Sequence, residues 1–463
     1  MKMRKTTQEY YDEFPNMITH SIKMQEPNQS IEIFAGKFTI VRNEKVVILD
    51  GTISFDWIPS KDVRFKGKVL KNELQLINLF DASPITELFI DNQLFGRCRI
   101  SGTNMGKETI IEGFMIEDSV LGDKSIMVSS VRFTIPNLKD FHAEPIKLIH
   151  DGRVQFCRRR LVFTNQNFKI TIDGFPDYDK LKEKLSSIGG YLIQYNGEIV
   201  KTKGSIHYDE LKDLTASFSV FLSFINGRRC ATLFHQGMYD NEVVWTEYTT
   251  HKLDLFKSVF SWSIWDDTSG FNDLWINFSR LWTDKNDKAF LDSIIHWYLE
   301  ANKNSGYVEG SIILTQVGLE LAYNWYVIEK QKLILGRDTD NISAANKLRL
   351  LLSQIDLKPD LPGNLTALEQ FIIDNELSDG IEAFVLVRNA LVHSQEDKRK
   401  RLREIDSKVL IEVLQLGLWY LELSILKVLN YNGKYQFRCS GNLWKGTNDL
   451  EVPWNHDQSK NIP

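Results

Sequence analysis

From about Ser30 to Asp177, apolar residues recur at every second position in short runs rich in Ile, Val, Phe and Thr, with Gly, Asn and Asp between the runs. Side chains alternate faces along a strand, so this period predicts half-buried strands. Examples are Ile31 to Val41, Val46 to Trp57, Leu94 to Ile100, Ile110 to Ile116 and Ile126 to Ile135. Many short strands with no helix between them imply antiparallel pairing in a sandwich or barrel. A second β-rich block covers Val154 to Ile172, Tyr191 to His207 and Cys230 to Thr250. Two helical patterns interrupt it, Tyr178 to Ile188 and Tyr208 to Ile225, the latter with Leu211, Leu214, Phe218 and Leu222 at helical spacing.

Past about Asp266 the alternation stops and the apolar period lengthens. Helices are predicted over Ala289 to Ala301, Gly310 to Leu333, Ser343 to Ile355, Leu365 to Asn375, Asp379 to Leu391 and Glu404 to Asn430, with the Pro-containing stretch from Lys358 to Gly363 as a break between two of them. The chain therefore reads as an α+β multidomain protein. Residues 1–150 form a β-rich subdomain, sandwich-like or barrel-like, 151–265 a mixed β/α subdomain, and 266–463 a helix bundle with a C-terminal tail.

At 463 residues the chain exceeds one core's usual size, and 43% hydrophobic with 25% charged residues excludes wholesale disorder. A net charge of -5 means that a polyanion must be met by a local basic patch rather than by the field of the whole protein. Cys98, Cys157, Cys230 and Cys439 lie far apart without a CxxC pair, which suits buried thiols in a reducing compartment. The charged N-terminus lacks a signal-peptide core and no stretch of about 18 uninterrupted apolar residues follows. A cytoplasmic protein with no membrane partner is expected.

The common catalytic signatures are missing: no P-loop, GxSxG, HExxH, EF-hand or dinucleotide fingerprint occurs. The nine histidines show no metal-ligand spacing, so neither metal nor cofactor is expected; His20, His142, His150, His207, His235, His251 and His296 receive no role. One constellation stands out. The apolar stretch Ile381 to Val387 runs directly into Arg388-Asn389-Ala390-Leu391-Val392-His393. An Arg five residues before a His means little in a chain of this composition; Asn beside that Arg, on an apolar helix, makes the pattern more specific.

This stretch resembles the Arg-x4–6-His motif, often Arg-Asn-x3-His, of HEPN domains. Roughly Asp284 to Trp454 is similar to the HEPN domain of the ApeA-like bacterial anti-phage proteins, through Ile294 to Tyr298, Leu319-Glu320-Leu321, Arg388 to His393 and Val452-Pro453-Trp454. The first 260 or so residues are similar, less specifically, to that family's N-terminal domain. The resemblance implies a metal-independent endoribonuclease used in abortive infection, usually a homodimer, with RNA, tRNA included, as substrate and a phage component as trigger. A non-catalytic nucleotide- or protein-binding module of the same type is the alternative.

The residue types fit cleavage by the 2′-hydroxyl of RNA, which needs proton transfer and charge stabilisation but no metal. His393 is the candidate acid or base, Arg388 the candidate phosphate clamp, and Asn389 the orienting amide. At 100° per residue Asn389 and His393 share a face while Arg388 lies about 140° from His393. Either the helix ends near His393, or a symmetric dimer pools both motifs in one cleft; the dimer is favoured. Glu320 interrupts a strongly apolar helix and is expected to pair with Arg388, as support for catalysis or as a structural ion pair. Lys398, Arg399, Lys400, Arg401 and Arg403 form a basic run beside the motif, read as a solvated face or as a phosphate-tracking patch. The bland reading of Arg388 and His393 is a helix-end ion pair and a histidine facing the helix dipole. Arg153 and Arg158 to Arg160 are expected on an exposed strand edge, and the tryptophans from Trp245 to Trp297 in packing.

Overall fold

The computed structural model describes residues 13–42, 45–71, 85–150, 153–249, 251–336, 338–392, 405–440 and 448–455. The chain is α+β, with a β-rich N-terminal region and a helical C-terminal region. It divides into two compact units, residues 1–219 with 230–257, and residues 220–229 with 258–463.

The first unit contains a closed barrel of β1 (Ile31–Arg42), β2 (Lys45–Asp56), β3 (Asp62–Lys71), β4 (Ile85–Ile90), β5 (Gln93–Met105) and β6 (Thr109–Met115), in the order β1-β2-β3-β6-β5-β4. Closure leaves no open sheet edge. The period-two pattern sets which side faces in: Phe38 pairs in register with Leu49 and Ile40 with Val47, and all four are buried. Where β2 crosses β3, Gly51 pairs with Gly67, and a side chain at Gly51 would collide with the Lys66 carbonyl.

The same unit holds an eight-stranded antiparallel sheet. Its strands are β7 (Val120–Gly122), β8 (Ser130–Pro136), β9 (Glu144–His150), β10 (Arg153–Thr164), β11 (Phe168–Gly174), β12 (Ile193–Lys201), β13 (Leu233–Tyr239) and β14 (Glu242–Glu247), in the order β7-β14-β13-β8-β12-β11-β10-β9. Residue 150, where the sequence pattern suggested a division, ends β9, which pairs with β10 inside this sheet. Two helices accompany the sheet, α1 (Tyr178–Ile188) and α2 (Tyr208–Asn226), the last turns of α2 belonging to the second unit.

The sheet edge expected for Arg153 and Arg158 to Arg160 is corrected, although Arg158 is exposed as expected. β10 lies between β9 and β11, Arg159 is buried against Asp140 and Asp179, and Arg160 makes a bidentate pair with the buried Asp173 at 2.6 and 2.7 Å. Carboxylates from neighbouring elements neutralise the cations, which lets a sheet interior hold them.

The second unit is built from α3 (Phe271–Trp282), α4 (Lys285–Asn302), α5 (Tyr307–Tyr323) running into a π-helical stretch (Asn324–Lys330), α6 (Asp338–Asn341), α7 (Ala344–Gln354), α8 (Thr366–Asp374), α9 (Gly380–Val392) and α10 (Ser407–Val428), followed by the small hairpin β15 (Lys434–Gln436) and β16 (Asp449–Glu451). The single helix predicted over Gly310 to Leu333 thus changes pitch at Asn324. Among the described residues α10 is the one helix long and apolar enough to cross a membrane; 78% of its 18-residue apolar window is buried, as in the central helix of a bundle.

Close approach fixes α9 on α10. A methyl group at Gly417 would lie 2.4 Å from the Phe384 ring of α9 and 3.0 Å from Thr315 of α5. Gly417→Ala raises intrinsic helix propensity yet overpacks this crossing, and is expected to cost about 1–3 kcal/mol in urea unfolding. An unchanged midpoint would mean that the crossing yields freely.

Candidate functional site

Two residues of the predicted site, Arg388 and Asn389, lie on α9. Ile381, Phe384, Val387 and Ala390 recur at three-residue spacing and are buried, which orients the helix. Asp379 caps it: its carboxylate accepts from the Glu382 amide at 2.8 Å, and Glu382 accepts in return from the Ser378 amide at 2.9 Å. Arg349 of α7 donates twice to Asp379, at 2.7 and 2.9 Å, fastening the start of α9 to its neighbour. That hydrogen bonding raises the Arg349 pKa, and the backbone donor at Ser378 lowers that of Glu382.

Arg388 and Asn389 sit in the last turns of α9, both half-buried, and Arg388 Nη1 donates to Asn389 Oδ1 at 3.1 Å. Arg388 Nε is buried with no hydrogen-bond partner among the described residues. A buried N–H on a permanent cation is costly to leave unpaired, so the position demands an acceptor. His393 and the basic residues Lys398, Arg399, Lys400, Arg401 and Arg403 lie outside the described residues.

Glu320 departs from expectation. It is half-buried and accepts from Gln316, one turn earlier on α5, at 3.0 Å; Glu320 and Arg388 form no ion pair. Among the described residues of this unit the fully buried carboxylate is Glu422 on α10, which pairs with Arg438 at 2.5 Å. Tyr298 and Arg438 both donate to Glu422, and Arg438 also donates to Asn302 at 2.7 Å. Glu422 and Arg438 lie 16 residues apart in sequence, with the end of α10 and β15 between them.

Sequence reasoning also missed a cluster in the first unit. His235 lies within the buried stretch of β13, Glu247 ends β14 and His251 follows it; their ligand atoms all lie within 4.8 Å of one another. The β13–β14 hairpin turns at Asp240-Asn241, both with positive φ. A bulge at Gly237/Met238 then shifts the register by one residue, so that Gln236 pairs with Thr246 and His235 comes opposite Glu247. Counting back from the turn without the bulge would have placed Thr246 there. The Asp-Asn dipeptide was the legible part of the signal.

Within this cluster His235 Nδ1 lies 2.9 Å from Glu247 Oε2 and its Nε2 lies 3.0 Å from Thr232 Oγ1; Thr249 donates to Glu247 Oε1 at 2.7 Å. Burial by itself would raise the Glu247 carboxyl, but the His235 contact, with help from Thr249 and His251, holds it down at about 2. Burial, reinforced by His235, lowers His251 to about 4 despite Glu247 and Asp118. His251 also lines a cleft of about 490 Å³ with Trp57, Lys61, Tyr191, Lys252 and Leu255.

Comparison with known proteins bears on both regions. Residues 123–259 match the YopA central domain and residues 284–450 the YopA C-terminal domain. The chain is also 26% identical over 439 residues, 92% of its own length and 95% of the relative's, to the SPbeta prophage-derived uncharacterized protein YopA of Bacillus subtilis (strain 168). No solved structure matches the chain. The YopA central-domain segment contains His235, Glu247 and His251, and the YopA C-terminal segment contains Glu320, Arg388, Asn389, Glu422 and Arg438.

Proposed function

We propose that the helical unit is a metal-independent endoribonuclease of the HEPN type, acting as a homodimer in anti-phage abortive infection, with the β-rich unit as its sensing or restraining part. The observation that carries this reading is Arg388: a half-buried guanidinium beside Asn389, its Nε unpaired among the described residues, at the end of a capped apolar helix whose chain continues to His393. A phosphate oxygen is the acceptor such a fork is shaped for.

In the reaction His393 accepts the proton of a ribose 2′-hydroxyl or delivers one to the departing 5′-oxygen. The 2′-oxygen forms a bond to phosphorus as the bond from phosphorus to the 5′-oxygen breaks, and Arg388 stabilises the added negative charge. Asn389 orients the clamp, and the basic run from Lys398 to Arg403 follows the phosphates on either side. A prophage-derived relative accords with a protein that one phage carries against others.

The product ends test the reaction. RNA from cells expressing the full chain is expected to carry 2′,3′-cyclic phosphate and 5′-hydroxyl termini, and cleavage by the purified protein is expected to persist in EDTA. Ends bearing 5′-phosphate, the product of metal-assisted hydrolysis, would overturn it. Intact RNA with retained nucleotide binding would instead favour the non-catalytic module.

A further inference from the structure

We propose that His235, Glu247 and His251 of the β-rich unit form a binding site for a transition-metal ion, Zn²⁺ being the best match. Two imidazoles and one carboxylate are a recurrent three-ligand set for zinc and for non-haem iron, and in such sites the remaining position stays open to water or a ligand. All three ligand atoms lie within 4.8 Å of one another, whereas tetrahedral Zn²⁺ holds its ligands about 3.3–3.5 Å apart; side-chain adjustments of roughly 1 Å close the set.

The supporting contacts are in place. With a proton on Nε2, His235 donates to the Thr232 hydroxyl and turns the Nδ1 lone pair towards Glu247. Two electron-rich atoms 2.9 Å apart then need a cation between them, and either a proton on Nδ1 or a metal ion meets that need. Thr249 fixes the other carboxylate oxygen at 2.7 Å. Hydrogen bonds of this kind orient metal ligands and tune their affinity.

Backbone strain sits beside the cluster. Phe234, directly before His235, has φ +55, a left-handed conformation that a large side chain rarely adopts and that tends to persist where function over-determines it. His251 belongs both to the triad and to the wall of the 490 Å³ cleft, so the open coordination position has access to a ligand from that side. Lys61 and Lys252 on the same wall make that ligand an anion.

The site is separate from the cleavage chemistry at Arg388 and His393, and metal content reads it without reference to RNA. Full-length protein, stripped with a chelator and dialysed against ZnCl₂, is expected to retain one equivalent of zinc, and Co²⁺ in its place is expected to show the visible bands of a four- or five-coordinate N/O site. His251→Ala and Glu247→Gln are expected to weaken zinc binding at least 10–100-fold, and Thr249→Val about 10-fold through the lost orienting hydrogen bond. His251→Ala decides the matter if a change at Glu247 prevents folding. Retention well below one equivalent, or retention unchanged in His251→Ala, would overturn the proposal and leave the cluster as a buried hydrogen-bonded network.

Discussion

Alanine at His393 is expected to lower RNA cleavage about 10²–10⁴-fold, the range for losing a positioned general acid or base. Alanine at Arg388 removes the proposed phosphate clamp and is expected to cost about 10²–10³-fold, as does loss of one charge-stabilising donor elsewhere. Lysine at 388 keeps the charge but not the planar fork, so it recovers only part of the rate. Both losses belong in single-turnover measurements on a defined RNA, with circular dichroism confirming that each variant folds. Mixing the two inactive alanine variants separates the geometries left open by the 140° between Arg388 and His393. If one protomer supplies the guanidinium and its partner the imidazole, a mixed dimer holds one intact site and activity returns. If both groups come from one chain, the mixture stays inactive. Cleavage undiminished by either alanine would remove the nuclease reading altogether.

How far residues can be read without coordinates depends on the range of the interaction. Local periodicity was legible: β1, β2, β5 and β6 of the barrel, α1, α2, α4 and the helices from α7 to α10 follow from apolar spacing, because each needs only one face sorted from another. α3 escaped notice although Phe271, Leu274, Trp275, Phe278 and Trp282 are spaced for a helix, since aromatic residues carry little helix propensity and its N-cap, Gly270, makes no side-chain cap hydrogen bond. Contacts distant in sequence were illegible. Arg159 and Arg160 look like edge cations until Asp140, Asp173 and Asp179 are brought beside them. The β13–β14 hairpin shows the sharpest limit, because a single bulge decides whether His235 faces a threonine or a carboxylate.

The same limit explains the exchange of roles between Glu320 and Glu422. Both interrupt apolar helices, so the rule that a buried carboxylate requires a cation applies equally to each on sequence grounds. Glu320 escapes the requirement by being half-exposed and bonded to Gln316. Glu422 cannot escape it: it has no exposed surface, and Arg438, itself buried, arrives from the segment after β15 and stacks 4.3 Å above the Phe260 ring. Burial opposes the charge on Arg438, but Glu422 and Tyr298 together hold its pKa above the ordinary value.

Breaking that pair is the largest stability effect expected in the helical unit. Glu422→Gln keeps the size and the acceptor for Tyr298 yet strands a buried guanidinium, and Arg438→Met strands a buried carboxylate; each is expected to cost about 3–5 kcal/mol. Replacing both, with leucine at 422 and methionine at 438, removes the two desolvated charges together and is expected to cost much less than the sum of the single changes, although Tyr298 and Asn302 each lose a partner. Urea unfolding of the single and double variants measures the difference, and hydrogen exchange of the α10 amides assigns it to this unit rather than to the β-rich one. Single variants within about 1 kcal/mol of the parent protein would show that solvent reaches Glu422 and Arg438, and that the unit is held by its apolar helix faces alone.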